Sequence, residues 1–216
     1  MNNPLLSFGR GLPDYAAIQA SHIKPAITEL LAKAQKAVDI SVNPSTPNTW
    51  KDLVEPLENA TEELGRSWGV IGHLNSVADT PELREAYGEM LPEVTAFWSS
   101  LGQNLDLYKK YKALSQSAEF QQLSQAQRKV IENSLRDFRL GGAELADDQK
   151  PRFSAIQDEQ ALLSKAFSDH VLDATDNYVH QVTNVEDLVG LPEDALAAAK
   201  QTAELKQLDE IGRAHV

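Results

Sequence analysis

Apolar residues recur along most of this chain at steps of three and four, the spacing of one face of an α-helix. The first run predicts a helix from Ile23, with Ser21 as its cap and Pro25 in its first turn, where a missing N–H is tolerated. Its apolar face comprises Ile23, Ile27, Leu30, Leu31, Ala34, Val38 and Val42. The stretch NPSTPN at 43–48 then predicts a loop.

Two longer apolar runs follow this loop. The second run comprises Leu53, Leu57, Ala60, Leu64, Trp68, Ile71 and Leu74, and Pro56 predicts a bend or a restart near its beginning. Thr80 and Pro81 predict the start of the next helix, in which Pro92 predicts a kink. That third run comprises Leu83, Tyr87, Met90, Val94, Phe97, Leu101, Leu105 and Tyr108.

The last third of the chain also reads as helical, with one exception. A capping box of Ser124 and Gln127 opens a helix that carries Ile131, Leu135 and Phe138 and ends at Gly141-Gly142. Asp148 opens the next predicted helix, with Pro151 in its first turn and a stripe of Phe153, Ile156, Leu163, Phe167 and Val171. NYVHQVT at 177–183 is the exception, because its β-branched and aromatic residues favour a strand. A final helix is predicted from Pro192.

These elements predict a mostly α fold, an antiparallel helical layer or bundle with at most one short strand near 177–183. A single strand cannot satisfy its own backbone hydrogen bonds, so its partner is water, an unrecognised segment or sequence outside the chain. The predicted organisation is an irregular segment at 1–21, a helical domain at 22–210 and a tail at 211–216 that fits nothing upstream.

Composition narrows the classes of partner. The 216 residues carry a formal net charge of −12, which repels nucleic-acid phosphates and anionic membrane surfaces. We therefore predict no nucleic-acid and no membrane partner. The chain has no cysteine, begins with nothing like a signal peptide and contains no apolar run near the roughly 20 residues of a membrane span. These features predict a cytoplasmic protein.

A search for zinc-hydrolase chemistry finds no motif. Such sites need two histidines one helical turn apart with a glutamate that activates water. The five histidines are His22, His73, His170, His180 and His215, and none belongs to an H-E-x-x-H sequence. The acidic cluster of Asp169, His170, Asp173 and Asp176 has one-turn spacing, but we interpret it as a solvated helix end rather than a metal site.

Other candidate motifs also have a structural interpretation. Ser21 and Lys24 match the S-x-x-K spacing of serine acyl-enzymes, but the companion S-D-N and K-T-G motifs are absent. Trp50, Trp68 and Trp98 lie on or beside apolar stripes, where core packing is the expected role. Adjacent acids at 62–63 and 147–148 point in different directions on a helix and predict surface charge. We assign no catalytic, cofactor-binding or metal-ligating residue.

Six runs in register carry a family resemblance. They are NPLL (3–6), HLNSV (73–77), PELREAY (81–87), LRDF (135–138), VLDAT (171–175) and LPEDALAAAK (191–200). Together they resemble the N-terminal region of the thimet-oligopeptidase-like family of zinc metallopeptidases, over about residues 3–208. Gly141-Gly142 and the segment 176–187 depart from the family pattern.

The resemblance implies a specific architecture and activity. The family hydrolyses short peptides at a Zn²⁺ site built on H-E-x-x-H and a further glutamate, in the C-terminal part of a much longer protein. Its fold resembles a mostly helical clamshell with a deep channel, and the N-terminal helices form part of one channel wall. No position here matches the zinc ligands. The implied role is therefore an N-terminal part that binds no zinc, is inactive alone and needs a separate C-terminal catalytic domain.

The end of the chain bears on this interpretation. The hexapeptide IGRAHV at 211–216 resembles the translation of a common sequencing adapter, and we expect it to be non-native, with the natural sequence interrupted near Glu210. Two alternatives stay open: a non-enzymatic helical protein-interaction module, and a stand-alone enzyme whose chemistry the motifs do not reveal. Zinc-dependent cleavage of a short peptide by this chain alone would favour the second alternative.

Overall fold

The computed structural model describes residues 3–9, 11–182 and 184–205, apart from the side chain of Val185. It confirms the mostly α fold. Nine α-helices occur in the described residues: α1 (Pro4–Ser7), α2 (Ala20–Val42), α3 (Glu55–Val77), α4 (Pro81–Gly102), α5 (Leu105–Ser115), α6 (Ala118–Gln122), α7 (Gln125–Leu140), α8 (Lys150–Asn177) and α9 (Glu193–Leu205). Short 3₁₀ turns lie at Tyr15–Ala17 and Val185–Leu188, and a π-helical turn at Trp50–Val54 precedes α3.

The chain divides into two compact units, residues 1–165 and 166–216. In the first unit, α2 packs against α1, α3, α4 and α5, while α7 packs against α4 and α5. Their inward faces form one hydrophobic core. Its largest side chains with almost no exposure include Leu5, Ile23, Ile27, Leu64, Ile71, Met90, Leu107, Tyr111, Leu114 and Ile131. The described part of the second unit contains the end of α8, the second 3₁₀ turn and α9, with Leu188, Ala199 and Ala203 buried.

The beginning of α2 differs from the prediction. The helix begins at Ala20, so Ser21 lies inside it and the prediction that Ser21 caps it is wrong. The cap is Gln19, whose backbone N–H donates to His22 Nδ1 at 3.1 Å. Pro25 is consequently the sixth helical residue rather than part of the first turn, and the Ser21 carbonyl has no N–H to accept from there. The segment 1–21, predicted to be irregular, also contains α1 and a 3₁₀ turn.

The third apolar run is divided between two helices. The prediction of one helix through Tyr108 is wrong, because α4 ends at Gly102 and α5 begins at Leu105. Asn104 produces the break, since its side chain caps α5 by accepting from the Leu107 N–H at 2.9 Å. The starts at Thr80-Pro81 and at the Ser124 capping box are confirmed. After the π-helical turn, α3 begins at Glu55, and Pro56 lies in its first turn.

The strand-like segment does not form a strand in the described residues. α8 continues to Asn177, residues 178–180 are irregular, and Gln181 forms only an isolated bridge. Thr183 lies outside the described residues, as does the tail at 211–216. The predicted helix from Pro192 is confirmed as α9, and the helix predicted from Asp148 begins two residues later, at Lys150.

Candidate functional site

One pocket of about 690 Å³ opens between α3, α4, α5 and α7 in the first unit. All four helices contribute to its lining, so it depends on the packing of the unit rather than on a single loop. The lining residues are Leu57, Glu58, Thr61, Glu62, Trp98, Leu101, Gly102, Tyr111, Val130, Asn133, Ser134, Asp137, Phe138 and Gly141. Three of them are acidic, and none of these described residues is lysine, arginine or histidine.

The aromatic residues Tyr111 and Phe138 of the lining are closely packed. Tyr111 is only 1% exposed, and its ring meets Phe138 edge to face with centroids 5.4 Å apart. Phe138 also contacts Tyr108 edge to face at 6.2 Å. Edge-to-face pairs add to the stability gained by burial, so these rings stabilise this side of the pocket. Trp98 is 38% exposed and contributes a more accessible aromatic surface.

One turn of α3 supplies the acidic wall. Glu58 and Glu62 are four residues apart and therefore lie on the same helix face. Desolvation raises the pKa of Glu58. Burial, and secondarily the charge of Glu58, raise the pKa of Tyr111 well above its usual range. Both residues line the same pocket.

Four other polar side chains of the lining have partners within the fold. Thr61 Oγ1 donates to the Leu57 carbonyl at 2.9 Å, and Ser134 Oγ donates to the Val130 carbonyl at 2.9 Å. Glu62 lies 3.8 Å from Arg66, and Asp137 pairs with Arg136 at 2.8 Å. Within the described residues, neither the Glu58 carboxyl nor the Tyr111 hydroxyl takes part in a hydrogen bond or an ion pair. Both groups line the pocket and can therefore contact a ligand.

Two glycines form one boundary of the pocket. The ends of α4 and α7 approach so closely that a Cβ added to Gly141 would lie 2.9 Å from Gly102 Cα and 3.0 Å from Gly102 O. Gly141 has φ −76°, so the approach itself, rather than its conformation, requires glycine. Gly142 has φ +93° and ends α7, as the sequence predicts.

The histidines and the acidic cluster are not brought together. His22 takes part in the cap of α2, and His73 meets Tyr15 edge to face at 5.5 Å. His170, Asp173 and Asp176 are exposed on α8, while His215 lies outside the described residues. Within the part of the chain that the structure describes, no three His, Asp or Glu side chains are grouped as a metal site requires. The donor set present here does not fit the zinc site of the family.

Lys24 and Ser21 do not form a nucleophile and base. Lys24 Nζ donates to the Glu89 carboxylate, and this bond raises the pKa of Lys24, which keeps the amine protonated. Ser21 is exposed on α2. A protonated lysine held by another carboxylate is a poor general base, so this pair has a structural role.

The tryptophans and the adjacent acids noted in the sequence lie in the core, in the pocket or on the surface. Trp50 and Trp68 pack against the core, and Trp68 stacks on Tyr87 with centroids 4.6 Å apart. Trp98 lines the pocket, as does Glu62, which the sequence suggests only as surface charge. Glu63 pairs with Lys33, and Asp147 pairs with Lys150, which lowers the pKa of Asp147. In the described residues no helix is long and apolar enough to cross a membrane.

Comparison with known proteins identifies the family of this chain. Residues 26–150 match the family described as neurolysin/thimet oligopeptidase, N-terminal domain, and the chain belongs to that family. The matching region contains every residue that lines the pocket.

Several relatives of this chain are oligopeptidases A. The chain is 41% identical over 208 residues to oligopeptidase A of Haemophilus influenzae and 39% identical over 209 residues to that of Escherichia coli. It is also 36% identical over 202 residues to a probable cytosolic oligopeptidase A of Arabidopsis thaliana. These matches cover 96%, 97% and 94% of this chain but only 30%, 31% and 28% of the relatives. The chain thus spans less than a third of their length.

Proposed function

We propose that this chain is the N-terminal part of a zinc-dependent oligopeptidase that hydrolyses short peptides. In this proposal its helices form one wall of the substrate channel, and the chain has no peptidase activity alone. The observation that carries the proposal is the similarity to oligopeptidases A over 96% of this chain and 30% of the relative. Zn²⁺ is expected to be held by residues outside this chain, because H-E-x-x-H is absent from its sequence.

The exposed apolar residues of α8 support a covering partner. Ile156, Leu162 and Leu163 are 45%, 56% and 63% exposed, and α8 has no buried residue. Long helices of soluble proteins normally bury one apolar face, since that burial supplies most of their stability. The occupant we assign to this surface is the catalytic part of the same protein, which the length of the relatives implies. The cytoplasmic location predicted from the sequence stays a prediction.

A chimera with a relative tests the proposal directly. This chain, up to Leu205, would replace the matching segment of Escherichia coli oligopeptidase A, to which it is 39% identical. We expect the zinc-loaded chimera to hydrolyse a fluorogenic short peptide and to leave a folded protein intact. A matched chimera with the glutamate of H-E-x-x-H replaced by glutamine should bind zinc and remain inactive.

Assay of the 216-residue chain by itself distinguishes the alternatives. We expect no peptide cleavage at any zinc concentration. Zinc-dependent cleavage by this chain alone would overturn the proposal in favour of a stand-alone enzyme. A well-folded chimera that binds zinc but hydrolyses no peptide would favour a non-enzymatic interaction module.

A further inference from the structure

The pocket between α3, α4, α5 and α7 combines a buried polar group with an acidic wall. Tyr111 is 99% buried yet lines the pocket, and no hydrogen bond reaches its hydroxyl within the described residues. The hydroxyl is not among the fully buried polar atoms that lack a partner, so it reaches the open space of the pocket, where a ligand can form a hydrogen bond with it.

The acidic residues of the lining favour a positively charged ligand. Glu58, Glu62 and Asp137 all line the pocket, and no basic side chain lines it with them among the described residues. Arg66 and Arg136 offset Glu62 and Asp137 from outside the lining, which leaves Glu58 as the uncompensated acid. A cation placed near Glu58 relieves the penalty that desolvation imposes on its charged form.

The apolar lining selects the body of the ligand. Leu57, Tyr111 and Phe138 are buried apolar surface, and Trp98 adds an aromatic face that attracts cations. A bare metal ion would leave this surface exposed to water. An inorganic cation is therefore a poor fit, whereas an organic cation with an apolar body would cover the aromatic surface and reach Glu58 and Tyr111 together.

We infer that this pocket binds a primary ammonium group joined to an apolar body, with the ammonium between the Glu58 carboxylate and the Tyr111 hydroxyl. An ammonium has three donors, which match one carboxylate oxygen, the phenol oxygen and water. Two parts of a peptide carry this chemistry: an apolar residue at a free amino terminus, and the side chain of lysine. The inference rests on the proposed function only for peptides as the source of the ligand.

Titration calorimetry with small probes tests the inference on the 216-residue chain. The probes are phenylalanine amide for the amino terminus, Nα-acetyl-lysine amide for the side chain, and N-acetyl-phenylalanine amide as the neutral control. We expect at least one cationic probe to bind in the millimolar range and the neutral probe to bind about tenfold more weakly or not at all. The stronger of the two cationic probes identifies the source.

Two variants and a matched control assign the binding to these residues. Glu58→Gln and Tyr111→Phe should each weaken the cationic probe about tenfold. Glu55→Gln removes an acid from the same first turn of α3, outside the pocket lining, and should leave the affinity unchanged. Tyr111→Phe removes a hydroxyl without a protein partner, so it should fold normally, which thermal unfolding checks.

The inference fails if neither cationic probe binds up to about 10 mM. Equal binding of the acetylated probe would contradict it, and so would equal effects of Glu58→Gln and Glu55→Gln. None of these results bears on the proposed peptidase function, because the chimera measures peptide cleavage, whereas the calorimetry measures ligand binding to a chain that lacks the zinc motif. An active chimera with an empty pocket would overturn this inference alone.

Discussion

Gly102 and Gly141 let two helix ends touch through their main chains. A Cβ at Gly141 would lie 2.9 Å from the Gly102 Cα, closer than side-chain carbons approach backbone atoms in folded proteins. No flexible side chain can move aside to relieve this contact. The pair therefore fixes the distance between the C-terminal ends of α4 and α7.

We expect Gly141→Ala to destabilise the protein by about 1–3 kcal/mol, because the helix ends must separate. Urea denaturation at neutral pH measures the change. Gly65→Ala is the matched control, since Gly65 lies in an exposed helical position with nothing within 4 Å of its added Cβ. That control should gain up to about 1 kcal/mol through helix propensity. Equal effects of the two substitutions would contradict the backbone contact.

Glu58 makes the stability depend on pH in a defined direction. Desolvation raises the pKa of Glu58 in the folded state above its usual value of 4.5, so folding favours the protonated carboxyl. Its contribution is most favourable below pH 4.5 and is lost as the pH rises through the folded pKa. The acids Glu62 and Asp137 and the phenol of Tyr111 face the same pocket and cannot neutralise it.

Glu58→Gln should therefore raise the melting temperature at pH 7, and the gain should shrink as the pH falls toward 4. Thermal unfolding at a series of pH values measures the difference from the parent. Glu55→Gln, in the same turn, should show no such gain because Glu55 does not line the pocket. A Glu58→Gln difference that does not vary with pH would refute the assignment.

The sequence predicts the role of some of these residues but not of others. Gly141 and Gly142 were predicted to stop a helix from local chemistry, but only Gly142 has the positive φ that such a stop uses. The contact that requires Gly141 involves a residue on another helix, which no local pattern reports. Glu58 and Tyr111 were missed for the same reason, because α3 and α5 bring them to one pocket only through tertiary packing.

At the scale of the element, caps decide where the helices begin. Ser124 accepts from the Gln127 N–H at 3.3 Å, and Gln127 Oε1 accepts from the Ser124 N–H at 3.0 Å. This reciprocal pair was predictable, because all its atoms lie within four consecutive residues. The break before α5 was not, since Leu101, Leu105 and Tyr108 keep helical spacing across it.

Ser124→Ala should destabilise the protein by about 1 kcal/mol, because the first turn of α7 loses its acceptor. Gln125→Ala, at the next position and without a capping role, should be nearly neutral. Chemical denaturation of both variants provides the comparison. A Ser124→Ala effect no larger than that of Gln125→Ala would mean that α7 is held by packing alone.

The central position of α2 gives a second prediction at this scale. Ile27 is fully buried, whereas Ile40 on the same helix is 51% exposed. Ile27→Ala should lower the free energy of unfolding by about 2–5 kcal/mol, while Ile40→Ala should change it by less than about 0.5 kcal/mol. Urea midpoints measure both, and similar losses would contradict the orientation of α2.

At the scale of the whole molecule, the surface carries exposed apolar side chains as well as a formal net charge of −12. Besides the exposed residues of α8 in the first unit, Phe167 is 71% and Val171 48% exposed in the second. The periodicity of this helix was visible in the sequence. The exposure of its apolar residues in the described part of the chain could not be predicted, because the spacing identifies a helix face but not what packs against it.

We expect the isolated chain to bind a hydrophobic dye, and the double substitution Leu162→Gln with Leu163→Gln to reduce that fluorescence. Its stability should change little, because both side chains are more than half exposed. Ser164→Gln, exposed on the same helix, is the control and should leave dye binding unchanged. A dye-silent, monodisperse parent chain in size-exclusion chromatography would contradict the proposed covering partner.

The backbone contact between Gly102 and Gly141 limits the size of the pocket at this edge, and no change of side-chain rotamer can enlarge it. A side chain that lines a cavity can change its rotamer to admit a larger ligand, but glycine has no side chain that could move. An occupant that is too long in this direction must be rejected or must pry two helices apart. The extent of the cavity at this edge is therefore set by the packing of α4 against α7. Enlarging it would require a shift of these helices rather than a side-chain substitution.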